Sequence, residues 1–188
     1  MTGIFLCVAM AAGVYGAIPA YAEGTDTGTD IQAQAAQWPT GPAVQAASAI
    51  IMDASTGTVL YEKDADTPRY PASITKIMTT LLALENCNLD EMVHFSATAV
   101  YENEGGTSHI ARDLDEEMTL EQCLYGIMLE SANECSYAVA EHVGGGDYQK
   151  FIDMMNAKAA ELGCTNTHFN NCNGLPDPRM WSVPVIWR

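Results

Sequence analysis

The feature that most constrains this chain is a serine and a lysine three positions apart, at the start of an apolar helix. Ser73 and Lys76 lie within the segment Tyr70–Leu84. Side chains at i and i+3 share one face of a helix, so the lysine amine can reach the serine oxygen. An alcohol is a weak nucleophile that needs an adjacent base, and a lysine serves when burial or neighbouring positive charge lowers its pKa. Because this spacing often arises by chance, other residues must support it.

The composition describes a globular, acidic protein. With 188 residues, the chain is long enough for one domain or for part of a larger one. Its net charge of −16 argues against nucleic acid as a partner, because phosphates require a basic surface. An acidic exterior mainly confers solubility.

The N-terminus has the pattern of an export signal. Residues 1–22 carry no charge, the apolar run Ile4–Ile18 is too short to span a bilayer comfortably, and Ala20–Ala22 offers an A-x-A cleavage site. The basic residues that usually precede such a run are missing. We predict a signal peptide at 1–22, an extracytoplasmic location in the cell envelope, and a flexible linker at 23–47, which is rich in Gly, Thr, Gln, Ala and Pro.

Cysteine and histidine spacings do not indicate a metal site. Five cysteines follow the predicted cleavage site, and an odd number without short paired spacings is not a disulfide framework. We expect buried free thiols, with one bridge remaining possible. The chain has no C-x-x-C or H-E-x-x-H motif and its four histidines are scattered, so we expect neither a metal nor another cofactor.

Hydrophobic patterning predicts an α/β (α+β) fold that is mostly helical, with a small antiparallel sheet. Residues 48–53 and 58–62 read as a hairpin, residues 92–95 as a short strand, and residues 98–117 as an irregular acidic excursion. The predicted helices are 73–85, 119–129, one that follows a turn at Glu130 and Ser131 and runs through His142, and 147–162. Thr119 with Gln122 predicts a capping box at the start of the second of these helices.

A second polar pair, Ser131 and Asn133, lies at the junction of two apolar helices. Such a hydroxyl can relay a proton, and the amide can hold either a substrate carbonyl or the Lys76 side chain. The alternative is that both residues are ordinary helix caps, which is a common role for Ser and Asn.

Together, S-x-x-K followed by S-x-N resembles the penicillin-recognising serine enzymes. The neighbouring residues narrow this resemblance to the serine-type D-alanyl-D-alanine carboxypeptidases, which are low-molecular-mass penicillin-binding proteins. Five blocks carry it: Ala49–Tyr61, Tyr70–Thr79, Leu129–Cys135, Leu162–Phe169 and Asn173–Asp177. The resemblance implies the penicillin-recognising transpeptidase and β-lactamase-like fold, here only its N-terminal portion, with residues 48–178 as an incomplete catalytic domain.

The resemblance also implies a role for each motif residue. Ser73 would be the acylated nucleophile, Lys76 its base, Ser131 a proton relay and Asn133 the amide that positions substrate. The backbone N–H of Ser73 would form half of the oxyanion hole. The implied substrate is a peptidoglycan pentapeptide ending in D-Ala-D-Ala, with β-lactams as covalent inhibitors.

The C-terminal part departs from the family pattern. A K-T-G strand is expected after these motifs, but no lysine follows Lys158. We therefore expect helix faces that are partly uncovered and a chain that hydrolyses substrate poorly or not at all. Residues 179–188 do not resemble the family, and we hypothesise that they are an out-of-frame tail, which the nucleotide sequence would decide; the rival is a short paralogue with its own C-terminus.

Two other functions remain open from the sequence. A class A β-lactamase shares both motifs but needs a later glutamate to activate the deacylating water. The glutamates that follow Ser131 are poorly placed for this role: Glu134, Glu141 and Glu161. The other alternative is a non-catalytic fragment that binds the cell wall.

Overall fold

The computed structural model describes residues 41–102 and 106–177, which divide into two compact units after Ala65. The predicted signal peptide, linker residues 23–40 and the tail at 179–188 lie outside the described residues. Within the described ranges, no helix is both long and apolar enough to cross a membrane.

The first unit contains the predicted hairpin. Strands β1 (Ala49–Met52) and β2 (Val59–Lys63) pair antiparallel, with a register irregularity between Ile51 and Met52. The Asp53 carboxylate accepts hydrogen bonds from the turn that joins the strands. Residues 41–47 form no helix or strand, and the Lys63 amine donates to two carbonyls of this segment. The hairpin prediction is confirmed.

The second unit is a helical assembly with one small sheet. A 3-10 turn at Ala72–Ile74 leads into α1 (Thr75–Asn86), and strands β3 (Met92–His94) and β4 (Glu117–Thr119) pair antiparallel. The remaining helices are α2 (Ala97–Tyr101), α3 (Leu120–Glu130), α4 (Asn133–Gly144) and α5 (Tyr148–Glu161).

Helix α4 lies at the centre of the second unit. It packs against α1, α2, α3, α5 and β3. Two clusters of buried apolar side chains meet along it, one including Phe95, Leu120 and Ile127, the other including Met78, Phe151 and Phe169. Because α4 is enclosed by these neighbours, both of its ends have defined surroundings.

The ends of α3 follow from local chemistry. Thr119 and Gln122 form the predicted capping box, in which the Thr119 side chain accepts from the Gln122 amide and the Gln122 side chain accepts from the Thr119 amide. At the other end, Ser131 adopts a left-handed conformation that stops the helix. The structure therefore places Ser131 in the turn between two helices, as the sequence predicted, whereas Glu130 still belongs to α3.

The prediction that residues 98–117 are irregular was partly wrong. This region contains most of α2 and the first residue of β4. The Ser96 hydroxyl caps α2 by accepting from the Ala99 amide, but five residues are too few to show a helical period. The three residues of β4 are likewise ordered by their pairing with β3, which is a tertiary contact.

Candidate active site

Ser73 lies at the surface, in the 3-10 turn that precedes α1. The preceding residue, Ala72, has a φ of 50°, a left-handed conformation that costs a non-glycine residue about 1–2 kcal/mol. This unfavourable turn is retained next to the candidate nucleophile, as is often found at functional sites. The result is an exposed hydroxyl directly above the first turn of α1.

The Lys76 amine lies beneath that hydroxyl and is almost fully enclosed, with 3% of the residue exposed. Its Nζ is 3.3 Å from Ser73 Oγ and donates to Asn133 Oδ1 and to the Asn173 carbonyl oxygen, each at 2.8 Å. Burial lowers the pKa of Lys76 to about 8, although Cys172 and the Glu134 carboxylate act to raise it. A substantial share of the amine is therefore neutral in mildly alkaline solution.

This geometry suits a lysine that acts as a base. A neutral amine has two N–H donors and one lone pair, so it can keep both 2.8 Å bonds and accept a proton from Ser73. The two oxygen acceptors fix the amine in position, which leaves the lone pair available to the hydroxyl.

The Ser131 side chain also reaches the candidate nucleophile. With a φ of 56°, the residue turns its hydroxyl towards Ser73, and Ser131 Oγ donates to Ser73 Oγ at 2.9 Å. Ser73 therefore has a lysine amine and a second hydroxyl as neighbours, so a proton can reach or leave it by either group.

Asn133 is the first residue of α4 and is almost fully buried. Its backbone amide donates to the Ser108 carbonyl, and its side chain accepts from Lys76 rather than capping the helix. The cap interpretation is therefore wrong for Asn133. The sequence left two roles open to its side-chain amide, holding a substrate carbonyl or holding Lys76, and the structure shows the contact with Lys76.

Asn173 and Gly174 complete the surroundings of Lys76, and sequence reasoning assigned them no role. The Asn173 carbonyl accepts from Lys76, although 97 positions separate the two residues. The segment is held beside α1 because the Thr79 hydroxyl donates to the Cys172 carbonyl at 2.6 Å. These residues lie in the Asn173–Asp177 block that resembles the carboxypeptidase family, and this block is the sequence feature that points to them. The resemblance alone assigns no role to either residue.

The four predicted site residues thus come together in one place. Ser73 opens onto a cleft of about 390 Å³, whose lining also includes Tyr70, Ser108, Asn133 and Leu175. Ser73 and Asn133 line the cleft itself, while Lys76 is enclosed behind them. The cleft has room for a small peptide or a ligand of similar size.

We predict that the Lys76 amine titrates near pH 8, well below an ordinary lysine. NMR of ¹³C-labelled lysine side chains can follow all four lysines, and Lys76→Gln would assign the resonance. Lys158 is a built-in reference, because its hydrogen bonds to Glu161 and Glu85 raise its pKa. Since the unfolded chain keeps its proton up to about pH 10.4, unfolding free energy should increase with pH between about 8 and 10.4. A Lys76 resonance that titrates no earlier than that of Lys158 would contradict this.

Comparison with known proteins places this arrangement in a family. Residues 32–183 match the model of peptidase family S11, described as D-alanyl-D-alanine carboxypeptidase. The chain is 35% identical over 185 residues to the D-alanyl-D-alanine carboxypeptidase of Streptomyces sp. (strain K15), covering 93% of this chain and 57% of that protein. This chain belongs to the D-alanyl-D-alanine carboxypeptidase family.

Solved structures agree with the family and show its fold. The carboxypeptidase DacD from Francisella tularensis superposes with a TM-score of 0.72 at 33% identity, covering 79% of this chain and 36% of that chain. Penicillin-binding protein 5 from Haemophilus influenzae superposes with a TM-score of 0.72 at 29% identity, covering 79% of this chain and 44% of that chain. The α+β fold of the penicillin-binding peptidases, expected from the sequence, is confirmed. The chain spans between about a third and three fifths of the length of these proteins.

Proposed function

We propose that this chain carries the acylation centre of a serine-type D-Ala-D-Ala carboxypeptidase. The observation that supports this most directly is the enclosed Lys76 amine, 3.3 Å from Ser73 Oγ and with a pKa lowered to about 8. A serine with such a neighbour can attack an amide carbonyl and form an acyl-enzyme.

The proposed steps use the residues at the cleft. Neutral Lys76 takes the Ser73 proton as Oγ attacks the carbonyl of the penultimate D-alanine. Ser131 gives its hydroxyl proton to the leaving D-alanine amine as the C–N bond breaks, and it takes back the proton that Lys76 removed from Ser73. The Ser73 N–H stabilises the oxyanion, and Asn133 holds Lys76 and presents its amide to the substrate. Water then releases the shortened peptide and regenerates Ser73.

We propose an extracytoplasmic location in the cell envelope, with peptidoglycan stem peptides as substrate and β-lactams as covalent inhibitors. The family description and the uncharged N-terminus support this. A β-lactam carbonyl would meet the same serine and remain attached to it as an acyl group.

We predict that the 188-residue chain is acylated slowly. Its sequence has no K-T-G, which would supply the second oxyanion donor and the cation that receives the substrate carboxylate. Losing one oxyanion donor alone typically costs about 10²–10³ in rate. With a fluorescent penicillin, we expect labelling at least ~100-fold slower than that of the full-length Streptomyces relative.

Controls separate this result from the alternatives. Ser73→Ala should abolish the slow labelling, and peptide mapping should place the adduct on Ser73. Labelling as fast as the relative would refute the predicted impairment. Labelling that persists in Ser73→Ala, or is absent from a folded chain after prolonged exposure, would refute the proposed acylation centre and favour a non-catalytic fragment. Rapid loss of the adduct would favour a β-lactamase.

A further inference from the structure

A second cluster of reactive side chains lies within the helical unit, away from the cleft. Cys87 directly follows α1, Glu91 lies in the loop before β3, and His142 is in the last turn of α4. One ligand atom from each residue lies within 4.8 Å of the other two, and all three residues are half-buried. Two chain segments, the connection between α1 and β3 and the last turn of α4, thus bring a thiol, a carboxylate and an imidazole together.

The carboxylate of this cluster is already oriented. Glu91 Oε1 accepts from the Asn88 backbone amide at 2.7 Å and from the Asn88 side chain at 3.0 Å. The other oxygen, Oε2, lies 2.9 Å from His142 Nε2. Asn88 therefore holds the carboxylate in the way that outer groups orient metal ligands.

The chemistry of the three groups selects the type of ion. A sulfur and an imidazole nitrogen favour a borderline-soft metal, whereas calcium and magnesium prefer oxygen. Zinc accepts sulfur, nitrogen and carboxylate oxygen at tetrahedral positions, with bonds of about 2.0–2.3 Å. These lengths place ligand atoms ~3.3–3.6 Å apart, so shifts of about 1 Å from the observed cluster suffice.

We propose that Cys87, Glu91 and His142 form a binding site for one zinc ion, with the fourth position open to water. A thiolate and a carboxylate together balance the charge of Zn²⁺. Thiol ligands bind zinc as thiolates, so binding releases the Cys87 thiol proton to solvent. His142 binds as neutral imidazole through Nε2.

The position of this site suggests its effect on the fold. Helices α1 and α4 carry Lys76 and Asn133 at their first turns and end beside the cluster. Twelve residues of helix span about 18 Å, so zinc would join the two helices roughly one helix length from the cleft. An ion bound only by the folded chain stabilises it without touching Ser73.

The sequence does not predict this site, because it has no C-x-x-C or H-E-x-x-H motif and its histidines are scattered. Glu91 and His142 are 51 positions apart, and only the packing of α4 beside the end of α1 brings them together.

Cobalt substitution tests the site directly. The full chain is freed of metal with a chelator, kept reduced with a phosphine, and titrated with Co²⁺ while thiolate-to-cobalt charge transfer is followed by absorbance. We expect one equivalent of Co²⁺ with a thiolate band, displaced by Zn²⁺, and an increase in Tm with Zn²⁺. Cys87→Ser should remove the band, and both Cys87→Ser and His142→Ala should weaken Zn²⁺ binding at least ~100-fold.

Matched controls exist elsewhere in the chain. Cys164→Ser removes a different cysteine thiol. His94→Ala removes the imidazole of a His–carboxylate pair, with Asp115 at 3.1 Å, that lies outside the cluster. Both should bind Zn²⁺ within about twofold of the parent chain, whereas Asn88→Ala should bind ~10-fold more weakly. Circular dichroism checks the fold of each variant. A missing thiolate band, a band that survives Cys87→Ser, several bound equivalents, or equal losses in the controls would overturn the proposal.

Discussion

Replacing Lys76 by methionine should lower the rate at which a penicillin acylates Ser73 by ~10³, the contribution typical of a positioned base. Methionine has a similar length and is apolar, so it fills the enclosed volume without a group that can take the Ser73 proton. The rate can be followed by intact-mass spectrometry at high penicillin concentration over hours, which allows for slow acylation of this chain.

Two further variants distinguish a role of Lys76 as a base from a role as a fixed positive charge. Lys76→Arg keeps a cation but cannot lose its proton at usable pH, so it should be as inactive as the methionine variant. Lys158→Met removes a lysine that pairs with Glu85 and Glu161, each at 2.9 Å, and it should leave the acylation rate unchanged. If Lys76→Arg retained the parent rate, Lys76 would act as a fixed charge and the proposed base role would be wrong.

The local parts of the fold and site were predictable because their signals lie within a few residues. The i, i+3 rule placed Lys76 beside Ser73, and the capping pair Thr119 and Gln122 located the start of α3. Juxtaposition of Ser131 with Ser73 came only from the family resemblance, since no local rule relates two turns 58 positions apart.

What the sequence left undetermined depends on tertiary contacts. The carbonyl of Asn173 holds Lys76, and every residue has a carbonyl, so residue type carries no signal for this role. Short elements such as α2 and β4 are stabilised by their neighbours rather than by their own periodicity. The cluster of Cys87, Glu91 and His142 was overlooked for the same reason.

Gly174→Ala should disrupt the site severely, although it adds only one methyl group. Gly174 has a φ of +85°, and an added Cβ would overlap the Ala72 carbonyl group and lie 3.0 Å from the Ser73 amide nitrogen. Both are backbone atoms of the turn that presents the nucleophile, so neither can move aside cheaply. The segment must retreat, which breaks the bond from Lys76 to the Asn173 carbonyl and opens the enclosure of the amine.

The cost of this substitution has two parts that a matched variant separates. Gly163 has a similar φ of +76° but no neighbour within 4 Å of an added Cβ, so Gly163→Ala should cost only the conformational ~1 kcal/mol of unfolding free energy. Gly174→Ala should cost ~3 kcal/mol or more, because backbone overlap adds to the same conformational term. Urea unfolding measures both values.

A second measurement follows the Lys76 amine in the folded fraction of each variant. The pKa read from the Lys76 resonance should rise towards the ordinary lysine value in Gly174→Ala only, since solvent then reaches the amine. Equal losses of stability in the two variants would show that the approach of Gly174 to Ala72 does not hold the site together.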